Sequence, residues 1–312
     1  MPPPVCQPLP QGFRLDQYRI ERQLSVGGFS IVYLAYDEAS VPVAIKEYLP
    51  SQLAQRGGDS PVPVIPAERR AAFVHGMKSF FEEARLLAHI RHPNIVEVLN
   101  FVKANETAYM VMRYENGRSL HDYIRALKES GAMIKEDYLR DVFVRLLSGL
   151  REVHRQKLLH LDLKPANIYL RDDGHPVLLD FGATRLGLGE GDATLGHMFT
   201  PGFAAPELRG SDEALGPWTD IYSIGATLYA CLSGKAPQAA ELRLNGDELE
   251  PAQRRWSKSY SLQLLELIDW CLKLPIMARP QSVYSLQKVL NGELLDLVDP
   301  IWFQTPGAWH AE

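Results

Sequence analysis

The segment from His160 to Gly182, HLDLKPANIYLRDDGHPVLLDFG, constrains this chain more than any other. Asp162 and Asn167 stand five positions apart with Lys164 and Pro165 between them, and Asp180 follows the apolar run Val177-Leu178-Leu179. That run reads as a short buried strand. An acid, a lysine, an amide and a second acid are therefore gathered in one short span, and the rest of the chain reads as support for them. The set suits movement of a phosphoryl group. One carboxylate can accept the proton of an attacking hydroxyl, an amide and a second carboxylate can hold Mg²⁺ against phosphates, and a lysine can offset the charge that develops.

The sequence HLDLKPAN resembles the catalytic loop of protein kinases, and Asp180-Phe181-Gly182 resembles their metal-binding motif. The Lys-Pro-x-Asn form of the loop is that of serine/threonine kinases. Alone, Asp-Phe-Gly would be read more simply as a turn; both motifs, in order and correctly spaced, are a specific signal. The resemblance implies that Asp162 is the catalytic base, that Lys164 contacts the transferred phosphate, and that Asn167 and Asp180 are Mg²⁺ ligands, with Mn²⁺ as a possible substitute. It gives His160 and Phe181 structural roles.

Composition bounds the alternatives. A length of 312 residues suggests one large domain or two lobes with separate cores, and 46% hydrophobic residues are ample for them. The net charge of −5, without a basic block, argues against nucleic acid as a main partner. Cys6, Cys231 and Cys271 are dispersed and form no CxxC pair, which fits a reducing cytoplasm without structural zinc. No apolar run suggests a membrane span, and the proline-rich start lacks the features of a signal peptide.

Residues 1–17 read as a flexible, Pro-rich lead-in. Tyr18–Val26, Ser30–Tyr36 and Val41–Tyr48 are rich in β-branched and aromatic residues and are separated by turn residues, which predicts three antiparallel strands. The first turn resembles a kinase glycine-rich loop, whose backbone covers ATP phosphates. Here Ser25-Val26-Gly27-Gly28-Phe29-Ser30-Ile31-Val32 keeps only the middle glycine of that pattern, Gly27. Serine at the outer positions implies a stiffer loop and weaker ATP binding. Val43-Ala44-Ile45-Lys46 matches the family's third-strand motif, in which Lys46 reaches the phosphates and pairs with a helix glutamate. Ala44 joins the ATP-binding set.

Residues 49–69 form an insertion rich in Pro, Gly, Gln and Ser, read as a long loop with little structure of its own and either functional or mobile. In this the chain resembles a subset of bacterial serine/threonine kinases, in which similar insertions occur after I-K-E-Y-x-P-S. Arg70–Arg91 reads as a helix stopped by His92-Pro93. Counted back from Pro93, the resemblance implies that its paired glutamate is Glu83, with Glu82 as the neighbouring alternative; Glu83 shares a face with Leu87, and Glu82 would point away. The resemblance places Leu87 in a packed spine and counts Val98 among the structural residues. Ile95–Val102 and Thr107–Arg113 are two more strands, and the second runs into a hinge, with Met112 as gatekeeper and Arg113, Tyr114 and Glu115 offering backbone groups to adenine.

Ser119–Lys128, Glu136–Gln156, Ile221–Leu232, Leu262–Leu274 and Val283–Leu290 read as helices, and the region 235–258 as polar and irregular. The activation segment runs from Asp180 to Glu207. Thr200 is expected to hydrogen-bond Asp162 and Lys164, and Thr194 is the preferred autophosphorylation site. Asp220 is expected to brace the catalytic loop, and Arg279 to pair with Glu207. In His160-Leu161-Asp162 a leucine replaces the family's arginine, which implies activity that does not require phosphorylation of the activation segment through that contact.

The resemblance thus implies an α+β, two-lobed protein-kinase fold. Residues 18–114 would form an antiparallel sheet plus one helix, 115–295 a mostly helical lobe, and 296–312 a tail, with ATP between the lobes. The reaction implied is transfer of the γ-phosphate of Mg-ATP to a serine or threonine hydroxyl of a protein substrate, with autophosphorylation. A kinase-like scaffold that binds ATP without catalysis, and a small-molecule phosphotransferase, are the alternatives. Intact Lys46, Asp162, Asn167 and Asp180 oppose the first, and the Lys-Pro-Ala-Asn loop with Ala205-Pro206-Glu207 opposes the second.

Overall fold

The computed structural model describes residues 7–58, 60–180, 185–186, 200–209 and 215–293. These fall into two compact units, and the chain passes from the first to the second between Asn116 and Gly117.

The first unit is a six-stranded antiparallel sheet with one long helix. Its strands are β1 (Arg14–Leu15), β2 (Tyr18–Val26), β3 (Ser30–Tyr36), β4 (Pro42–Tyr48), β5 (Val98–Ala104) and β6 (Thr107–Arg113), in the order β1-β2-β3-β4-β6-β5. Local chemistry makes the turns. Val41 N–H donates to the Asp37 carboxylate at 2.8 Å, and Ser40 takes a left-handed φ of 61°. Between β5 and β6, Asn105 and Glu106 both have positive φ, 50° and 56°. This is the two-residue turn whose twist matches antiparallel strands.

The two faces of β4 carry different chemistry because side chains alternate along a strand. On one face stand Lys46 and Tyr48, and here α1 (Arg70–Leu87) packs. The Tyr48 ring lies 5.1 Å from that of Phe73 and 5.7 Å from that of Phe80. On the other face stands Glu47, completely buried. It accepts two hydrogen bonds from the Arg56 guanidinium, at 2.5 and 2.8 Å, and one each from the Tyr33 and Tyr109 hydroxyls, at 2.7 and 2.8 Å. A buried carboxylate is tolerable only when paired in this way. Burial, followed by the Glu47 charge, pushes the pKa of both tyrosines up.

This cluster corrects two expectations. Residues 7–17 are not a loose lead-in: Gln7 exchanges hydrogen bonds with Arg56, Leu9 is buried with its N–H on the Tyr33 hydroxyl at 3.0 Å, and β1 joins the sheet. The insertion is not a structureless loop either, since Arg56 is 2% exposed and Gln55 bridges to Val64. Composition misled in both places because one buried ion pair outweighs a local excess of Pro and Gly. The helix is also shorter than predicted. After Leu87 the chain tightens, with His89 N–H donating to Leu86 and Ile90 N–H to Leu87, so the helical ladder ends well before Pro93.

The second unit is mainly helical. Its strands are short: β7 (Gly117–Ser119), β9 (Ile168–Arg171) and β10 (Pro176–Leu178) form one sheet, and β8 (Leu158–Leu159) pairs with β11 (Arg185–Leu186). Its helices are α2 (Leu120–Glu129), α3 (Glu136–Arg155), α4 (Pro217–Ser233), α5 (Ala240–Asn245), α6 (Ala252–Trp256), α7 (Leu262–Cys271) and α8 (Val283–Leu290). The Ser119, Ser261 and Ser282 side chains cap α2, α7 and α8. The predicted stripe on α3, from Leu139 to Val153, is buried, and α4 is buried over almost its whole length. Helices α5 and α6 occupy the region read as irregular; both are too short for periodicity to reveal.

Replacing Arg56 with Met strands Glu47 as an unpaired buried charge. We expect a loss of about 3–5 kcal/mol in unfolding free energy, measured from the denaturant midpoint.

Candidate active site

The second unit builds its site on the segment between β8 and β10. Asp162 lies at its centre. Its Oδ2 accepts from Lys164 Nζ at 2.7 Å and from Asn167 Nδ2 at 2.9 Å, and its Oδ1 accepts from the Thr200 hydroxyl at 3.3 Å. Lys164 Nζ also donates to Thr200 Oγ1 at 2.7 Å, and Asn167 Nδ2 to the Asp162 carbonyl at 2.8 Å. Four side chains therefore interlock, and the contacts expected of Thr200 are present. With its nitrogen engaged at Asp162, Asn167 presents its amide oxygen as the remaining donor atom. Asp180 is half-buried two residues beyond β10, with a left-handed φ of 52°. The Leu179 N–H donates to the Asn167 carbonyl at 2.9 Å, which ties the Asp180 end of the segment to the Asn167 end.

The backbone of this segment is set from below. Asp220, in the first turn of α4, is fully buried and accepts from the N–H of His160 at 2.9 Å, the N–H of Leu161 at 2.8 Å and His154 Nε2 at 2.7 Å. Leu161 takes a φ of 63°, a region that costs an ordinary residue about 1–3 kcal/mol unless its surroundings hold it. The two amide bonds to Asp220 supply that restraint. Burial alone would raise the Asp220 pKa, but the His154 hydrogen bond and charge, followed by His160, hold it below the usual carboxylate range. His160 is also buried, which lowers its pKa and favours the neutral ring. Its Nε2 donates to the Leu179 carbonyl at 3.2 Å while its Nδ1 accepts from Asp162 N–H at 3.4 Å. One imidazole thereby links the two ends of the segment.

Glu207 and Arg279 form the expected pair, at 2.8 and 3.1 Å, with both side chains fully buried. Arg279 also donates to the Lys273 and Leu274 carbonyls, each at 2.6 Å, so its planar fork is fully occupied.

In the first unit Lys46 sits on β4 opposite Val32 and Met110, 6% exposed, with Nζ 5.8 Å from the centre of the Phe80 ring. Glu83 lies on the buried face of α1 with Leu87, whereas Glu82 is exposed and paired with Arg85. Ala44 and Val98 both pair in register with Met112, which is buried. The Arg113 side chain turns away to an exposed ion pair with Glu97, and Tyr114 and Glu115 follow outside the strand. Ser25, Val26, Gly27, Gly28, Phe29 and Ser30 form the tip of the β2–β3 hairpin, with Val26 and Phe29 exposed. Phe181, Thr184 and Thr194 lie outside the described residues, as do Trp302, Phe303 and Trp309 of the tail.

Sequence reading missed Arg56, Glu47, Tyr33 and Tyr109, whose contacts span distant positions, and did not single out His154. A lone arginine in a Pro/Gly-rich insertion carries no local sign that it is buried.

These features, an antiparallel sheet with a buried strand lysine and a helical unit with an interlocked Asp-Lys-Asn-Thr site, are those of the protein kinase fold class. The protein kinase domain model matches residues 18–293, and the chain belongs to that family. A probable serine/threonine-protein kinase KIN1 homolog of Encephalitozoon cuniculi is 28% identical over 286 residues, 91% of this chain and 47% of that protein. The SNF1-related protein kinase catalytic subunit alpha KIN12 of Arabidopsis thaliana is 32% identical over 224 residues, 72% of this chain and 40% of that protein. The chain thus spans about half or less of these relatives' length. Among solved structures, the PpkA-294 apo form is similar with a TM-score of 0.79 and 34% identity, over 91% of this chain and 99% of that one. Among the described residues, no helix is long and apolar enough to cross a membrane.

The depressed pKa of Asp220 gives a pH test. Its stabilising contribution is present above the ordinary carboxylate pKa and is lost as pH falls toward the folded-state value. Wild-type unfolding free energy should therefore drop more steeply below about pH 5 than that of Asp220→Asn, measured by denaturant titration at each pH.

Proposed function

We propose that this chain is a serine/threonine protein kinase that transfers the γ-phosphate of ATP, with Mg²⁺, to protein hydroxyls. The observation that carries the reading is the interlock of Asp162 with Lys164, Asn167 and Thr200. Three donors fix the Asp162 carboxylate in one orientation, so it can receive the proton of a hydroxyl held beside it. Lys164, already on that carboxylate, stands where negative charge would build on a phosphoryl group in transfer. The Asn167 amide oxygen and the Asp180 carboxylate are hard oxygen donors suited to Mg²⁺, which takes few protein ligands and completes its shell with phosphates and water. When bound, Mg-ATP supplies the transferable phosphoryl group and charge neutralisation. Lys46 and Glu83 would orient its phosphates, and the backbone around Met112 to Glu115 would receive the adenine.

Leu161 bears on regulation. It is buried and apolar where the family's arginine would meet an activation-segment phosphate. Activity should therefore not depend on phosphorylation through this contact, whether or not Thr194 becomes modified.

The test is incorporation of labelled phosphate from ATP with Mg²⁺, using the chain alone and with a basic protein as acceptor. Label should appear on serine or threonine and vanish in Asp180→Asn. ATP binding without transfer in wild type would instead favour a scaffold. Thr200→Val should lower turnover by about 10²-fold, the cost typical of a misplaced reacting group, whereas Thr200→Ser should retain most of it. A phosphatase-treated preparation should stay active; recovery only after rephosphorylation would contradict the role given to Leu161.

A further inference from the structure

The tip of the β2–β3 hairpin is bound to chain outside the hairpin. Strands β3 and β4 pair as far as Ser30 opposite Tyr48, but the bonding continues past the strand ends. Leu49 N–H donates to the Phe29 carbonyl at 2.9 Å. Pro50 has no N–H to give. Ser51 then donates twice to the Gly28 carbonyl, from its N–H at 3.0 Å and from its hydroxyl at 3.2 Å. The Gly28 and Phe29 carbonyls are thus held by the first residues of the insertion.

That attachment is itself braced. The N–H groups of Leu53 and Ala54 both close on the Pro50 carbonyl at 2.9 Å, and Arg69 donates to the Gln52 carbonyl. Leu49 and Ala54 are each 1% exposed. Two residues on, Arg56 is locked onto Glu47 in the sheet interior. A peptide unit is planar, so fixing the Gly28 and Phe29 carbonyls also fixes the direction of the Phe29 and Ser30 N–H groups across the same bonds. Such backbone donors are the groups a hairpin tip can offer to phosphate oxygens. The glycines do not account for the rigidity. Gly27 does not take a left-handed φ, and a Cβ there would meet only the Ser30 carbonyl at an ordinary 3.6 Å.

We propose that Ser51 is a positioning residue for ATP: the insertion clamps the Gly27–Ser30 tip in a phosphate-ready conformation and replaces, with hydrogen bonds, adaptability that Ser25 and Ser30 deny it. This rests on the reading of that tip as the phosphate cover. A clamp set before binding reduces the ordering that ATP must impose, so its loss falls on affinity rather than on the chemical step.

Mg-ATP affinity of the full chain is measured by titration calorimetry, together with melting temperature, the split between KM and kcat, and amide exchange at Leu49 and Ser51. Ser51→Ala should weaken ATP by about 3- to 10-fold, the range for one lost hydrogen bond. It should raise KM more than it lowers kcat, speed exchange at Leu49 and lower the melting temperature by no more than about 2–4 °C. Ser51→Thr should restore affinity. Gly27→Ala, which the fold accommodates, tests the underlying reading and should also weaken ATP. If Gly27→Ala weakens ATP while Ser51→Ala binds as wild type, the tip covers phosphate but the clamp is wrong. If neither variant changes affinity, the reading of the tip fails and the clamp with it. A fall in affinity that tracks a fall in melting temperature, without rescue by Ser51→Thr, would reduce Ser51 to a structural role.

Discussion

The Asp220 carboxylate, fully buried at the start of α4, is the constraint on which the site depends. It accepts from two successive backbone amides, His160 and Leu161, and from the His154 ring. An ionised carboxylate in such a place is costly unless every partner is present, so the partners and the acid specify one another. The result is a backbone bend at Leu161 that no side-chain propensity favours. From that bend Asp162 is directed toward Lys164, Asn167 and Thr200, and the neutral His160 ring ties the bend to Leu179 next to Asp180. Asp220 touches no reacting group in the proposed chemistry, yet it determines where those groups stand.

The first unit uses the same device for another purpose. Glu47 is as deeply buried as Asp220 and is satisfied by one guanidinium and two phenols. Its partners come from the insertion and from both neighbouring strands, so it fastens the insertion and the N-terminal residues onto a sheet face. The adjacent residue, Lys46, points to the opposite face beneath α1. Strand alternation thus lets two consecutive charged residues serve separate ends, one structural and one in the proposed reaction. Each is buried, and neither could move to the other face without a register slip that would reverse the whole strand.

Much of this was legible in the sequence because it is local. Asp162, Lys164 and Asn167 lie within six residues, β2, β3 and β6 have strong β composition and clear turn residues, and α3 shows an unbroken apolar stripe. Helical face placed Glu83, and not Glu82, on the buried side of α1. What was not legible is long-range. The Arg56–Glu47 pair, its tyrosines and the closing of Gln7 onto Arg56 join segments whose local texture suggests mobility. The early end of α1 depends on tightened hydrogen bonding after Leu87, for which Pro93 was a misleading marker. Helices α5 and α6 are five or six residues long, below the length at which periodicity carries information.

The central claim is that a buried carboxylate fixes the backbone of the loop proposed to carry phosphoryl transfer. The most direct measurement is steady-state phosphorylation by Asp220→Asn beside its ATP affinity. An amide can accept one of the two backbone bonds but presents N–H to the other, so the bend at Leu161 should relax. The account predicts turnover lower by about 10²-fold with ATP affinity close to wild type, since misplacing the reacting groups costs catalysis more than binding. Turnover at the wild-type level in that variant would contradict it.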